Sequence, residues 1–172
     1  HSQACLLGTN KGADWFVKEY TAGRITEQQA KDILGDAYEP IMDNSFGPVI
    51  HTWSGWTTSN MMGFNPLNQV TLSASSNNLV QQSSGSDPHF NVPVDFSASG
   101  VTKIEVTLDN STASTSAQLF WERNTAAGYT STKSVTATME ANTNDQVVTF
   151  IVRNHAQWKD IITSLRFALG NT

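Results

Sequence analysis

Apolar residues along this chain change their period near Pro48. Before it they recur at helical spacing. "GADWFVKEYTAG" sets Phe16, Val17 and Tyr20 on one face and closes on Gly23, a residue suited to a helix C-terminus. "RITEQQAKDILG" opens with Thr26 and carries Gln29 three residues later, the spacing of a capping box. Ala30, Ile33 and Leu34 form its apolar stripe and Gly35 stops it. Residues 1–45 therefore read as a small N-terminal helical hairpin and linker. Two helices of this size bury too little to stand alone, so the hairpin is expected to dock on the rest of the chain or on a partner.

Beyond Pro48 the pattern turns to short runs rich in Val, Ile, Thr and aromatics. "PVIHTW", "QVTLSAS", "NNLVQQ", "FNVPVDF", "VTKIEVTLDN", "AQLFWER", "TKSVTATME", "QVVTFIVRN" and "IITSLRFAL" are separated by Gly, Asn, Asp and Ser clusters. Strand signals at this spacing, with no helical pattern between them, predict a mainly β domain over residues 46–172, an antiparallel β-sandwich of jelly-roll type. In "VTKIEVTLDN", Ile104, Val106 and Leu108 alternate with Lys103, Glu105 and Thr107, giving that strand one wet face.

Composition narrows the setting. Charged residues make up 15% of the 172, against about 25% in an ordinary soluble protein, and Ser, Thr, Asn and Gln supply the polar surface instead. That mixture suits a secreted, cell-surface or virion-surface β-protein. A formal charge of −5 offers no footprint for nucleic acid or an anionic membrane. A polyanionic glycan is awkward too, unless a bound cation or a local basic patch offsets the repulsion. Cys5 is the one cysteine, so no internal disulfide forms. No apolar run is long enough to span a membrane. The closing "LGNT" reads as the end of a module cut from a longer protein.

Common catalytic spacings are missing: there is no Gly-x-Ser-x-Gly, His-Glu-x-x-His, Cys-x-x-Cys or phosphate-cradling glycine loop. His51, His89 and His155 are far apart in sequence. No catalysis and no cofactor are expected. Asp87, Asp109 and Asp145 fall in turns, where an aspartate usually accepts backbone hydrogen bonds; their oxygens are alternatively candidates for a structural calcium ion. "NST" at Asn110 matches the N-glycosylation pattern, which matters only in a eukaryotic secretory host.

Aromatics are the informative group. Of five tryptophans, Trp53, Trp56, Trp121 and Trp158 lie in the β-part. A flat apolar indole matches the C–H face of a pyranose, and a few amides or charges beside it can grip hydroxyls. The competing role for each is core filler, and that role suits Trp158, beside Ile161, Ile162 and Leu165. Arg166, between Leu165 and Phe167, is expected to pair with a carboxylate. In "AQLFWERN", alternation sets Leu119, Trp121 and Arg123 on one face and Gln118, Phe120 and Glu122 on the other. One face is core; the other shows an aromatic beside a charge. Trp121, Glu122 and Arg123 are thus candidate ligand contacts, with Tyr129 in the following loop. "HTWSGWTTSNMMGFN" supplies the others, Trp53 and Trp56, whose spacing is too short for both to enter the core from one strand. Met61, Met62 and Phe64 add apolar mass there, fit for a pocket or a partner interface.

In order, "SDPHF", "VTKIEVTLD", "AQLFWER", "QVVTFIVRN" and "WKDIITSLRFAL" resemble a family of galactose-binding-like β-sandwich modules attached to bacterial polysaccharide-active enzymes and cell-surface proteins. The resemblance covers roughly residues 66–170. It implies a jelly roll and non-catalytic binding of a polysaccharide or glycan, and matches Asp87, Pro88, Leu119, Phe120, Trp121, Trp158, Ile162, Leu165 and Arg166, most of them fold markers. In that family Leu-Arg is followed by Asp-Pro and a closing strand, which "LRFALGNT" lacks. Either "PVIHTW" supplies the closing strand or the domain is truncated. A second reading is a structural or receptor-binding segment of a phage tail fibre or similar appendage, forming a homo-oligomer through Met61, Met62 and Phe64.

Overall fold

A computed structural model describes residues 49–170, together with Ala22, Gly23, Thr26, Gln28, Gln29 and Asp32. The chain divides into two compact units, His1–Val49 and Ile50–Thr172, a boundary a few residues later than the sequence pattern suggests. In the first unit the capping box is formed: Thr26 N–H donates to Gln29 Oε1 at 2.8 Å and Gln29 N–H donates back to Thr26 Oγ1 at 3.1 Å. Gln28, Gln29 and Asp32 are helical, and Gly23 holds a left-handed φ of +74°. The hairpin expected over residues 1–45 otherwise lies outside the described residues.

In the second unit every strand pairing is antiparallel. In chain order the strands are β1 (Asn65–Asn68), β2 (Val70–Ser75), β3 (Asn78–Ser83), β4 (His89–Ser97), β5 (Lys103–Asn110), β6 (Ser116–Arg123), β7 (Ser134–Thr138), β8 (Thr143–Ile151) and β9 (Ile161–Leu169). A five-stranded sheet runs β1-β4-β9-β6-β7, and β2-β3 and β5-β8 form two-stranded ribbons. The β2-β3 turn is made by Ser76 and Asn77, with φ of +52° and +65°, the paired positive values that match the twist of a tight hairpin. "PVIHTW" does not provide a strand: residues 49–56 are irregular, which overturns it as the closing strand. In its place the outermost partner of β4 is "NPLN", at a sheet edge where Pro66 interrupts no central ladder.

Alternation along the strands builds the core. Phe90 and Val92 of β4, Leu165 and Phe167 of β9, and Leu119 and Trp121 of β6 point to one side of the five-stranded sheet and join Val148 and Phe150 of β8 in one buried cluster. Phe167 is the hinge of this packing. Its ring stacks on Phe90 with centroids 5.5 Å apart and meets Phe150 edge-on at 6.4 Å. Trp158 closes one end, as expected: its Nε1–H is shared between Ala98 O at 3.0 Å and Val101 O at 2.8 Å, and its ring meets Trp121 edge-on at 5.0 Å. On both flanks of β9 the register slips once, between Pro93 and Phe96 on β4 and between Glu122 and Arg123 on β6.

Candidate functional site

The alternation that buries Leu119, Trp121, Leu165 and Phe167 turns Phe120, Glu122, Ser164 and Arg166 to the opposite face of the five-stranded sheet. Register aligns them in rows. Asn91, Arg166 and Phe120 stand abreast on β4, β9 and β6, and Pro93, Ser164 and Glu122 form the neighbouring row. Arg166 is the central member. Its guanidinium carbon sits 3.9 Å from the centroid of the Phe120 ring and 5.0 Å from that of Tyr129. Burial lowers its pKa, opposed by the charge of Asp87, and an arginine stays cationic all the same. Among the described residues no carboxylate lies within ion-pair distance of it; the charge of Asp87 acts on it from further away, and its guanidinium stacks on two aromatics. Its Nε is buried without a hydrogen-bond partner, as is Oδ1 of Asn91 beside it.

Tyr129 reaches this face from the β6–β7 loop, which is tied down along its length. Glu122 accepts from Gly128 N–H at 2.5 Å. The ammonium of Lys133, only 5% exposed, donates to Ala126 O at 2.6 Å and Ala127 O at 3.3 Å. At the loop's start Arg123 pairs with Asp160 at 2.8 Å and also donates to Gln157 Oε1, while Thr125 Oγ1–H donates to Asp160 at 2.6 Å. These contacts hold the Asp160 carboxyl below the usual aspartate range, the Thr125 bond being the largest cause. At its tip the Tyr129 hydroxyl bonds Ser164 Oγ and accepts from Asn91 Nδ2 at 3.2 Å; Ser164 Oγ–H in turn donates to Val92 O at 3.3 Å. Tyr129 is therefore held in place by its own contacts.

Pro93 connects this row to a second feature. It lines a cleft of about 440 Å³ with His51, Trp53, Asp95 and Phe96. Trp53 and Trp56 both lie in irregular chain, half-buried, with Phe64 between them at centroid distances of 5.7 and 5.6 Å. Trp53 also meets His51 edge-on at 4.5 Å. Gly63, at φ +84°, lets this segment turn close against Pro93: a Cβ there would lie 3.4 Å from the proline Cδ.

The six residues proposed from sequence thus separate. Tyr129 and Trp53 line the surface. Trp56 packs on Phe64. Trp121 is fully buried, with its Nε1–H donating to Gln157 O at 3.0 Å, which rules it out as a sugar platform. Glu122 faces the β6–β7 loop that it anchors, and Arg123 reaches Gln157 and Asp160 in the segment before β9. Phe120, Asn91 and Arg166 were not candidates; Phe120 follows once Trp121 is assigned to the core, because neighbours on a strand alternate. Asn110 is also corrected. Its side chain is buried, Nδ2 donates to Ser114 O at 2.8 Å and Glu140 O at 3.0 Å, and Oδ1 accepts from Thr112 N–H and Oγ1–H, so its amide is not open to a glycan. Asp109 and Asp145 lie in β5 and β8, not in turns as expected; Asp109 Oδ1 accepts from Asp145 N–H at 2.8 Å. Among the described residues no three His, Cys, Asp or Glu side chains gather as a metal site. No family model, curated protein or solved structure matches the chain.

Proposed function

We propose that residues 50–170 form a jelly-roll β-sandwich whose five-stranded sheet binds carbohydrate on its outward face, without catalysis, as part of an extracellular or surface protein. The layered reading is supported by the single core that the five-stranded sheet shares with β8. The observation that carries the function is the pairing of flat apolar groups with hydrogen-bonding groups on one prearranged surface: Phe120 and Tyr129 beside Arg166 and Asn91, with Trp53 in the adjoining cleft. Stacking on a pyranose and polar grip of its hydroxyls need that combination.

Calorimetric titration with soluble oligosaccharides, after a glycan-array screen with and without calcium, tests the reading. Binding that falls about tenfold in both Phe120→Ala and Trp53→Ala, while each variant keeps its fold, is the expected result; tenfold is the scale of one lost aromatic contact. Absence of binding to every glycan would sink it. In its favour, the oligomeric appendage reading has Val147 and Ile151, 57% and 48% exposed on the solvent side of β8. A mass above the monomer's in solution, lost in Val147→Lys, would support that alternative.

A further inference from the structure

We propose that two copies of this chain pair through β5, joining their β5-β8 ribbons edge to edge into one antiparallel sheet about a twofold axis at Val106. The inference does not depend on the carbohydrate reading. Among the described residues β5 pairs with β8 alone, and its eight residues include no Pro or Gly. Val152 N–H donates to Thr102 O, directly across the ribbon, and this fixes which residues bond to which side. Ile104, Val106 and Leu108 turn their backbone groups toward β8, while Glu105 and Thr107 turn theirs to the open edge. The register slip beyond Leu108 places its extra residue on β8, where Asp145 takes a φ of +57°, so β5 keeps its alternation through Asp109. The edges of the five-stranded sheet are shorter: β1 has four residues with a proline among them, and β7 has five. A longer edge without such a block is a template for another strand.

The sequence of β5 selects its own copy as that strand. Only alternate residues bond at the open edge, so antiparallel self-pairing is confined to registers that differ by a two-residue slip. Centred on Val106, the pairing sets Lys103 opposite Asp109 of the second copy at both ends, and Glu105 opposite Thr107. A slip in one direction sets Glu105 opposite its own copy, and a slip in the other sets it opposite Asp109, so like charges face each other. In the matched register Lys103 keeps its contact with Glu105 at 2.5 Å, and Asp109 keeps Oδ1 on Asp145 N–H. The cross-copy charge pairs add to these contacts and displace neither. On the inward side Ile104 meets Leu108 and Val106 meets Val106, all half-buried in the single chain and covered further by the second copy. Val147 and Ile151 belong to β8 and stay outside the junction.

Analytical ultracentrifugation of the intact chain over a concentration series tests the inference. One strand edge is a small interface, so a monomer–dimer equilibrium in the range of about 1–100 μM is expected. Thr107→Pro deletes an open-edge N–H without breaking a bond to β8, and is expected to leave the chain monomeric. Lys103→Glu and Asp109→Lys, each shown to be folded by its circular dichroism and melting temperature, are each expected to weaken the dimer about tenfold. An equal mixture of these two variants is expected to dimerise as the natural chain does, because opposite charges then face each other at both ends. A chain that stays monomeric throughout the series overturns the inference. A dimer that persists in folded Thr107→Pro overturns it as well, and loss of that dimer in Val147→Lys would move the interface to the outward face of β8. Should Thr107→Pro fail to fold, the mixture decides: a mixture that associates no better than its components overturns the register and the pairing of like copies with it.

Discussion

Arg166 stands directly opposite Phe120 on the adjacent strand, and its guanidinium carbon lies 3.9 Å from the phenyl centroid. A cross-strand pair of this kind locks both side chains against the sheet and keeps the charged group away from the core behind it. Everything proposed for the outward face depends on this pair and on Tyr129, which flanks it.

Glu122 is expected to act through the loop, not through ligand. Replacing it with Gln removes the charge from the bond to Gly128 N–H, and hydrogen exchange at that amide should accelerate roughly tenfold with the melting temperature little changed. Unchanged exchange would show that the loop is held by its other ties.

Trp158→Phe keeps most of the apolar volume but takes the indole donor away from Val101 O and from Ala98 O, the latter keeping the bond from Val101 N–H. Urea unfolding should report a loss of about 1–3 kcal/mol. Trp158→Ala should cost about 3–5 kcal/mol by adding a cavity.

Asn110→Ala removes four hydrogen bonds, three that hold the loop after β5 together and one, to Glu140 O, that ties it to the chain before β8. Destabilisation of about 2 kcal/mol is expected, with the m-value preserved. A near-neutral result would mean that water replaces the amide without loss.

His155 gives stability a pH dependence of known sign. Burial lowers its pKa below the ordinary value, and its Nδ1 accepts from Gln157 N–H at 3.0 Å, a bond the unprotonated ring makes. The unfolded chain therefore binds the proton more readily. This contribution is full above about pH 6.5 and is lost as pH falls below it. Thermal unfolding from pH 8 to pH 5 should show a steeper decline for the natural chain than for His155→Gln; parallel curves would contradict it.

Much of this fold was legible because some strands carry unambiguous alternation. Ile104, Val106 and Leu108 announced the inward side of β5, and the apolar company of Trp158 marked it as a plug. β6 was not decidable, since both of its faces carry an aromatic and a charge. Only register against Leu165 and Phe167 settles that Trp121 goes inward and Phe120 outward. β1 went unseen because "NPLN" has one large apolar residue and a proline, and its pairing with β4 supplies what its sequence does not. For Arg166 the sequence suggests a carboxylate partner, and the charge of Asp87 does act on it, but nothing local tells that two aromatics will enclose it. The buried network of Asn110 rests on carbonyls of Ser114 and Glu140, remote information that a three-residue motif cannot hold.

The ties of the β6–β7 loop have a practical consequence. Its anchors, Glu122, Arg123 and Lys133, belong to the framework at either end, whereas Ala127, Thr130, Ser131 and Thr132 at the crest are exposed. The crest is thus an interchangeable part. Diversifying those four positions in a library, with the anchors and Tyr129 kept, would reshape the surface beside Tyr129 while the scaffold beneath continues to fold.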